Sequence, residues 1–172
     1  MAFVSQEMKK KLTPAIKAVL KKYNMKASIA VKHHSTLVVN IKSGDLDIVT
    51  ATNEARLESF ERQDLYRNPH DVKYLAQRLD DYVQVNEYYI EETYKNYPEI
   101  SAFLLELKEA MEGPDYFNHD DSMTDYFFRS HYTDINVGNW EKPYVCTSET
   151  KDLTPKIEEI RKIADQLIKE AA

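Results

Sequence analysis

The stretch Ile29-Ala30-Val31-Lys32-His33-His34-Ser35-Thr36-Leu37-Val38-Val39-Asn40-Ile41-Lys42 decides the fold class. Ile29 and Val31 alternate with Ala30 and Lys32, and Leu37, Val39 and Ile41 alternate with Val38, Asn40 and Lys42. A period of two residues places each apolar set on one side of an extended chain, so two strands are expected. The link His33-His34-Ser35 is short enough for a hairpin. Gly44 then permits a turn into Leu46-Asp47-Ile48, where a third strand is expected.

Upstream, residues 5–23 read as a helix. Met8, Leu12, Ile16, Val19, Leu20 and Tyr23 recur at helical spacing, with Lys9, Lys10, Lys17, Lys21 and Lys22 mostly elsewhere around the barrel. Pro14 complicates this, because Thr13 would cap a helix starting at Pro14 and leave residues 5–12 as a separate turn or a kinked extension.

Downstream, residues 51–112 read as helical, punctuated at Asn68-Pro69 and Tyr97-Pro98 because the residue before Pro avoids the helical region. Val72, Leu75, Leu79, Val83 and Ile90 form an approximate stripe, and Ile100, Phe103, Leu104, Leu107 and Met111 a cleaner one. Gly113-Pro114 is a stop signal. Asp115 to Asp125 reads as a loop. His131, Thr133, Ile135 and Val137 alternate again, Gly138-Asn139 suits a two-residue hairpin turn, and Trp140 to Thr147 is the expected returning strand. Thr154-Pro155 opens a last helix whose Ile157, Ile160, Ala164, Leu167 and Ile168 face the core. The expected fold is therefore α+β. It is an antiparallel sheet of four to five strands from both ends of the chain, packed against helices that include a central helical block, in a single domain over residues 1–172.

Charge is sorted along this chain. Residues 1–43 carry nine Lys against the single Glu7, a balance of +8. Residues 44–142 carry 22 acidic against nine basic side chains, a balance of −13, and the whole chain stands at −6. Such a surplus bears on solubility, encounter and partners rather than on the fold. No apolar run is long enough to span a bilayer, and Met1-Ala2-Phe3-Val4-Ser5-Gln6 lacks the regions of a signal peptide, so a cytoplasmic protein without membrane contact is expected. The lone Cys146 excludes an internal disulfide and a Cys-type zinc site. With only Gly44, Gly113 and Gly138, Gly-rich phosphate cradles are excluded, and no nucleophile signature is present. No cofactor is expected and no catalytic residue is assigned.

Two stretches carry a resemblance. One is Met1-Ala2-Phe3-Val4-Ser5-Gln6-Glu7 through Ile16-Lys17-Ala18-Val19-Leu20-Lys21-Lys22-Tyr23. The other is Met123-Thr124-Asp125-Tyr126-Phe127 with Val137-Gly138-Asn139-Trp140-Glu141-Lys142-Pro143. Together they resemble a group of small uncharacterised proteins of bacteriophages and mobile elements, related to modules of large polyvalent phage proteins. The similarity runs over most of the chain. It supplies no chemistry that transfers residue by residue. It implies a setting: a protein delivered or expressed during infection and acting on host machinery or host defence.

Among candidate sites, Tyr74, Tyr82 and Tyr89 share a helical spacing, and Tyr88 extends the aromatic surface between Asp80, Asp81, Glu87, Glu91 and Glu92. Core packing with surface hydroxyls would account for them. A contact surface would too, because Tyr offers large area at low entropic cost and the carboxylates would select a basic partner. The leading expectation is a non-enzymatic accessory protein that binds a host or phage protein with a basic surface. The alternative is a nucleic-acid-binding module using Lys9, Lys10, Lys17, Lys32, His33, His34 and Lys42, although this segment has no Arg and no stacking motif. Asp115, Asp120, Asp121 and Asp125, with His119 among them, supply donors suited to a divalent cation, but without the alternating acidic ligands and central Gly of a helix–loop–helix calcium loop, so no metal site is assigned; an enzyme here would be a divalent-metal-dependent hydrolase or nuclease. His131 is a candidate to meet His33 across the sheet, with a satisfied, partly buried ring as the plainer account.

Overall fold

The computed structural model describes the backbone of residues 1–172 and the side chains outside positions 62 and 63. Helix α1 spans Gln6–Lys22, and its start is fixed by Ser5, whose hydroxyl accepts the Met8 N–H at 3.0 Å. The helix runs unbroken through Pro14, so residues 5–12 are not a separate turn. A mid-helix Pro costs about 3 kcal/mol because it removes one backbone hydrogen bond and crowds the previous turn. Thr13 does not cap; its hydroxyl donates to the Lys9 carbonyl at 2.7 Å. Burial of Ile16 and Leu20 offsets the Pro, at about 1.5–3 kcal/mol for each side chain.

Strands β1 (Met25–Lys32) and β2 (Thr36–Gly44) form the expected antiparallel hairpin, with Ile29 opposite Val39 and Val31 opposite Leu37. His33-His34-Ser35 make its three-residue connection, with His33 and His34 both in the left-handed region at φ 53° and 56° and the Ser35 N–H donating to the Lys32 carbonyl at 3.2 Å. Leu46-Asp47-Ile48 is not a strand. The Asp47 carboxylate accepts the Thr50 N–H at 3.3 Å and caps α2 (Ile48–Ser59), which widens into a π-helical turn over Phe60–Asp64. Asn68 and Pro69 open α3 (Pro69–Leu75).

The helical block then gives way. Between Ala76 and Tyr89 the chain is a strap containing only the two-residue strand β3 (Val83–Gln84), so Leu79 and Val83 belong to no helical stripe. Val83 and Val85 alternate with Tyr82 and Gln84, a strand period, and the flanking Asp80-Asp81 and Asn86 are poor helix formers. Helices α4 (Ile90–Thr93) and α5 (Pro98–Glu112) follow, then β4 (Tyr132–Val137), β5 (Val145–Cys146) and α6 (Thr154–Glu170).

The fold is α+β, and its five-stranded sheet draws strands from both halves of the chain in the order β1-β2-β4-β3. The sheet is mixed rather than antiparallel, because β4 runs parallel to β2, with Val39 beside Ile135. A parallel neighbour requires a long crossover, and the helices between Gly44 and Tyr132 supply it. Trp140 to Thr147 does not return as a hairpin. Gly138, at φ 70°, donates its N–H to the Ile41 carbonyl at 2.8 Å, and a Cβ there would lie 2.5 Å from the Tyr144 nitrogen. Asn139 then closes a tight turn by accepting the Glu141 and Lys142 N–H groups. The chain rejoins β2 in the same direction, so β5 extends the line of β4.

Leu37, Val39, Ile41, Ile135 and Val137 face the main core with Ile16 and Leu20 of α1 and Phe103, Leu104, Leu107 and Met111 of α5. The other sheet face bears a polar ladder in which Asn136 donates to Asn40 and to Asp134, and Gln84 donates to Asp134. A smaller apolar cluster joins Leu57, Leu65, Val72 and Ala76 to Leu153, Ile160 and Ala164 of α6. No helix is long and apolar enough to cross a membrane.

Candidate interaction surface

The strap is held by side chains in place of a full ladder. Asn53 is buried on α2; its amide donates to the Asp80 carbonyl at 2.7 Å and accepts the Asp80 N–H at 3.0 Å. Arg56 reaches the Asp80 carboxylate at 2.8 Å and also donates to the Arg78 carbonyl. Further on, Val83 pairs with Val137, and the Val85 N–H meets the Ile135 carbonyl at 2.9 Å. Val85 and Ile90 are buried, whereas Tyr82 before them and Tyr88 and Tyr89 between them are exposed, Tyr88 the most at 80%.

The nine strap-region residues singled out in the sequence do not share one helix face. Tyr74 sits on α3, where its hydroxyl accepts from Arg78 and its ring underlies that guanidinium at 5.4 Å, Glu91 and Glu92 sit on the short α4, and the others lie on the strap. Asp80 is paired with Arg56. Tyr89 and Glu92 line a groove of about 340 Å³ with Glu58 and Asn86. Glu87 is half-buried and accepts the Thr133 hydroxyl at 2.7 Å; burial raises its pKa above the ordinary carboxylate value. Asp81, Glu91 and Glu92 are exposed and, among the described residues, make no ion pair.

A second element abuts the strap, and the sequence reading missed it. Residues 117–130 form an irregular hairpin, with Asn118 opposite Arg129 and Asp121 opposite Tyr126. Its backbone is tied by His119 N–H to Phe128 O and Ser130 N–H to Phe117 O. Phe117, His119, Phe128 and Tyr126 form a row of rings with neighbouring centroids 5.0–6.2 Å apart. Phe127 and Tyr126 are more than half exposed, and Met123 at the tip is 92% exposed. The signal lay in Tyr116-Phe117 and Tyr126-Phe127-Phe128 on either side of a polar turn. Asp115, Asp120, Asp121 and Asp125 are interspersed with these rings in the sequence. Two of those carboxylates serve the hairpin itself. Asp120 pairs with Arg129, and Asp121 accepts the Met123 N–H and the Thr124 hydroxyl. Among the described residues no group of three or more His, Cys, Asp or Glu is arranged to hold a metal ion.

Arg129 ties the two arms of the hairpin together. Its guanidinium bonds Asp120, with Nε to Oδ2 at 2.7 Å, and lies 4.7 Å from the centre of the Tyr132 ring. The Asp120 bond is the main reason that its pKa is raised, and the Tyr88 hydroxyl and the nearby Tyr116 add to the effect. Asp120 in turn is held below the usual carboxylate range, first by its bond to Arg129. The result is a hairpin with an exposed row of rings, while Asp81 lies at the far end of β4, where its carbonyl accepts the Tyr144 N–H at 3.1 Å.

The lysines of the alternative reading are divided. Lys9, Lys10 and Lys17 line a shallow cleft of about 610 Å³ along α1 with Thr13 and Pro14. Lys32 and Lys42 alternate with the core-facing residues of β1 and β2, and so lie on the polar side of the sheet, away from α1. His33 and His34 are exposed at the hairpin turn between these two groups. Among the described residues Lys22–Glu106 is the single ion pair that joins the basic and acidic blocks. His131 does not reach toward His33. It is buried, with Nε2 2.9 Å from the Met111 carbonyl and its ring edge-on to Tyr116. Cys146 is a half-buried thiol beside Ser148.

Compared with protein-family models, with curated proteins and with solved structures, the chain matches none of them, and its reading rests on its own residues.

Proposed function

We propose that this chain is a non-enzymatic, phage-type accessory protein that works by binding another protein in the host cytoplasm. The partner is a component of host or phage machinery with a basic, partly apolar surface, and the biological role is host takeover or counter-defence. The observation that carries the reading is the exposed aromatic hairpin, in a chain whose strap region also exposes Tyr82, Tyr88 and Tyr89 and leaves Asp81, Glu91 and Glu92 without an ion pair among the described residues. Exposed apolar patches rimmed by polar groups are costly to keep in water and mark binding surfaces. Aromatic rings carry most contact energy, while rim carboxylates steer a basic partner. The same carboxylates repel phosphates, which sets this surface apart from one built for nucleic acid. The divided lysines also weigh against the nucleic-acid alternative, which predicts salt-sensitive retardation of DNA or RNA.

Capture from host lysate tests the proposal. The wild-type chain should retain a partner at low salt and lose it progressively at raised salt. Replacing Tyr126 and Phe128 together by Ala should weaken capture at least tenfold, about 1.4 kcal/mol, with the fold intact. Neutralising Asp81, Glu91 and Glu92 should flatten the salt dependence. A partner indifferent to both sets of changes, or no partner at all, would count against it.

A further inference from the structure

At the opposite side of the sheet, β1 is an edge strand of eight residues paired on one side only, by β2. Among the described residues no backbone or side-chain group bonds the face of residues 26–31 that points away from β2. The strand is regular. The single register shift, at Lys26/Ala27, places its extra residue, Lys42, on β2. The core-facing residues of β1 are also incompletely covered. Ala27, Ile29 and Val31 are half-buried, whereas Leu37, Val39 and Ile41 directly across from them on β2 are fully buried. One more strand along this edge would bond the free amides and carbonyls and cover the exposed sides of Ile29 and Val31.

The charges on the strand select the occupant. Lys26 and Lys32 are exposed at its two ends. An antiparallel second copy must keep apolar residues opposite apolar ones. Pairings centred on Ser28, Ile29 or Ala30 then set Lys26 opposite or diagonal to Lys32 of the other molecule, twice by symmetry. Like charges so placed oppose pairing. An incoming strand whose outer-face residues are carboxylates meets two cations in place of two repulsions.

We infer that the free edge of β1 is a second binding site, which takes an extended partner segment of alternating apolar and acidic residues by strand addition. This site is separate from the aromatic surface and does not depend on it. The affinity comes from main-chain bonds and from the covering of Ile29 and Val31, and the selectivity from Lys26 and Lys32.

The test uses two end-blocked octapeptides, one alternating Val with Glu and one alternating Val with Lys, titrated into the full chain at low salt. The Glu peptide should bind at least tenfold more tightly. Hydrogen exchange should slow at the β1 amides that point away from β2, a change that loose charge attraction does not produce. In the double variant K26E/K32E the preference should reverse. No binding of either peptide at millimolar concentration overturns the inference, as does equal binding of the two. Shifts confined to α1, without new protection on β1, also overturn it. A chain that sediments as a dimer with these amides already protected assigns the edge to a second copy and overturns it too. None of these outcomes depends on whether lysate capture succeeds at the aromatic hairpin.

Discussion

The two edges of the sheet solve the same problem in different ways. An edge strand presents unpaired backbone groups that invite further pairing. At the β3 edge the ladder is only two residues long, and Asn53 and Arg56 take up backbone groups of the strap around Asp80. At the β1 edge the ladder is eight residues long and regular, and only Lys26 and Lys32 guard it. Side-chain hydrogen bonds close an edge to every strand. Charge closes it to like-charged strands and leaves it open to others. On the proposals above, the β3 side would bind through its rings and the β1 side through its backbone.

The sharpest way to break the comparison is to unpin the strap. In Asn53→Leu the Asp80 N–H and carbonyl lose their partner while the apolar volume is roughly kept. Asp80 is exposed, so each lost hydrogen bond costs about 0.5–1.5 kcal/mol, and a loss of about 1–3 kcal/mol is expected in denaturant titration. Amide exchange should accelerate over residues 78–82 and stay unchanged on β1. Equal acceleration on both edges would mean that the strap is not held by Asn53.

A smaller, local effect is expected at Arg129→Gln, which removes the ion pair with Asp120 inside the hairpin. Asp120 is depressed by Arg129, so its stabilising contribution is present above the ordinary carboxylate pKa and is lost as pH falls through its lower folded value. In the variant that loss should begin at higher pH. Carboxyl and aromatic NMR signals of residues 117–130 report it directly. An unchanged Asp120 titration would mean that the Arg129 pair does not hold this hairpin together.

Much of the fold was legible because its signals are local. Ser5, Asn68 and Pro69, Pro98, and the period-two runs at 29–42 and 131–137 each act within a few residues. The parallel pairing of β4 with β2 was not legible, since strand direction is set by the long crossover from Gly44 to Tyr132. The strap was misread because Val72, Val83 and Ile90 fit a helical stripe loosely, while Asn53, which pins it, lies 27 residues away. The acidic surplus itself was readable. Its distribution was not, because Asp80, Glu87 and Asp120 acquire partners only in the folded chain, leaving Asp81, Glu91 and Glu92 outward.

The finest distinction between the edges is a titrating group. Glu87 lies where the strap crosses β4, bonded to Thr133, and burial holds its pKa above the ordinary value, with Asp134 and Glu112 adding and Lys108 opposing. A carboxyl with a raised folded pKa favours folding fully below its unfolded pKa, and that contribution disappears as pH rises through the folded pKa. At neutral pH the ionised, half-buried Glu87 is therefore a burden on the strapped edge. A glutamine side chain at this position would keep an oxygen for Thr133 and carry no charge. Glu87→Gln should be more stable than the wild type at pH 7, and the gain should vanish below about pH 4, where an ordinary Glu is itself protonated. Denaturation midpoints at the two pH values measure it, with Ile29→Val on β1, which adds no titrating group, as the control. A gain of equal size at both pH values would assign the effect to packing and remove the charge argument from this edge.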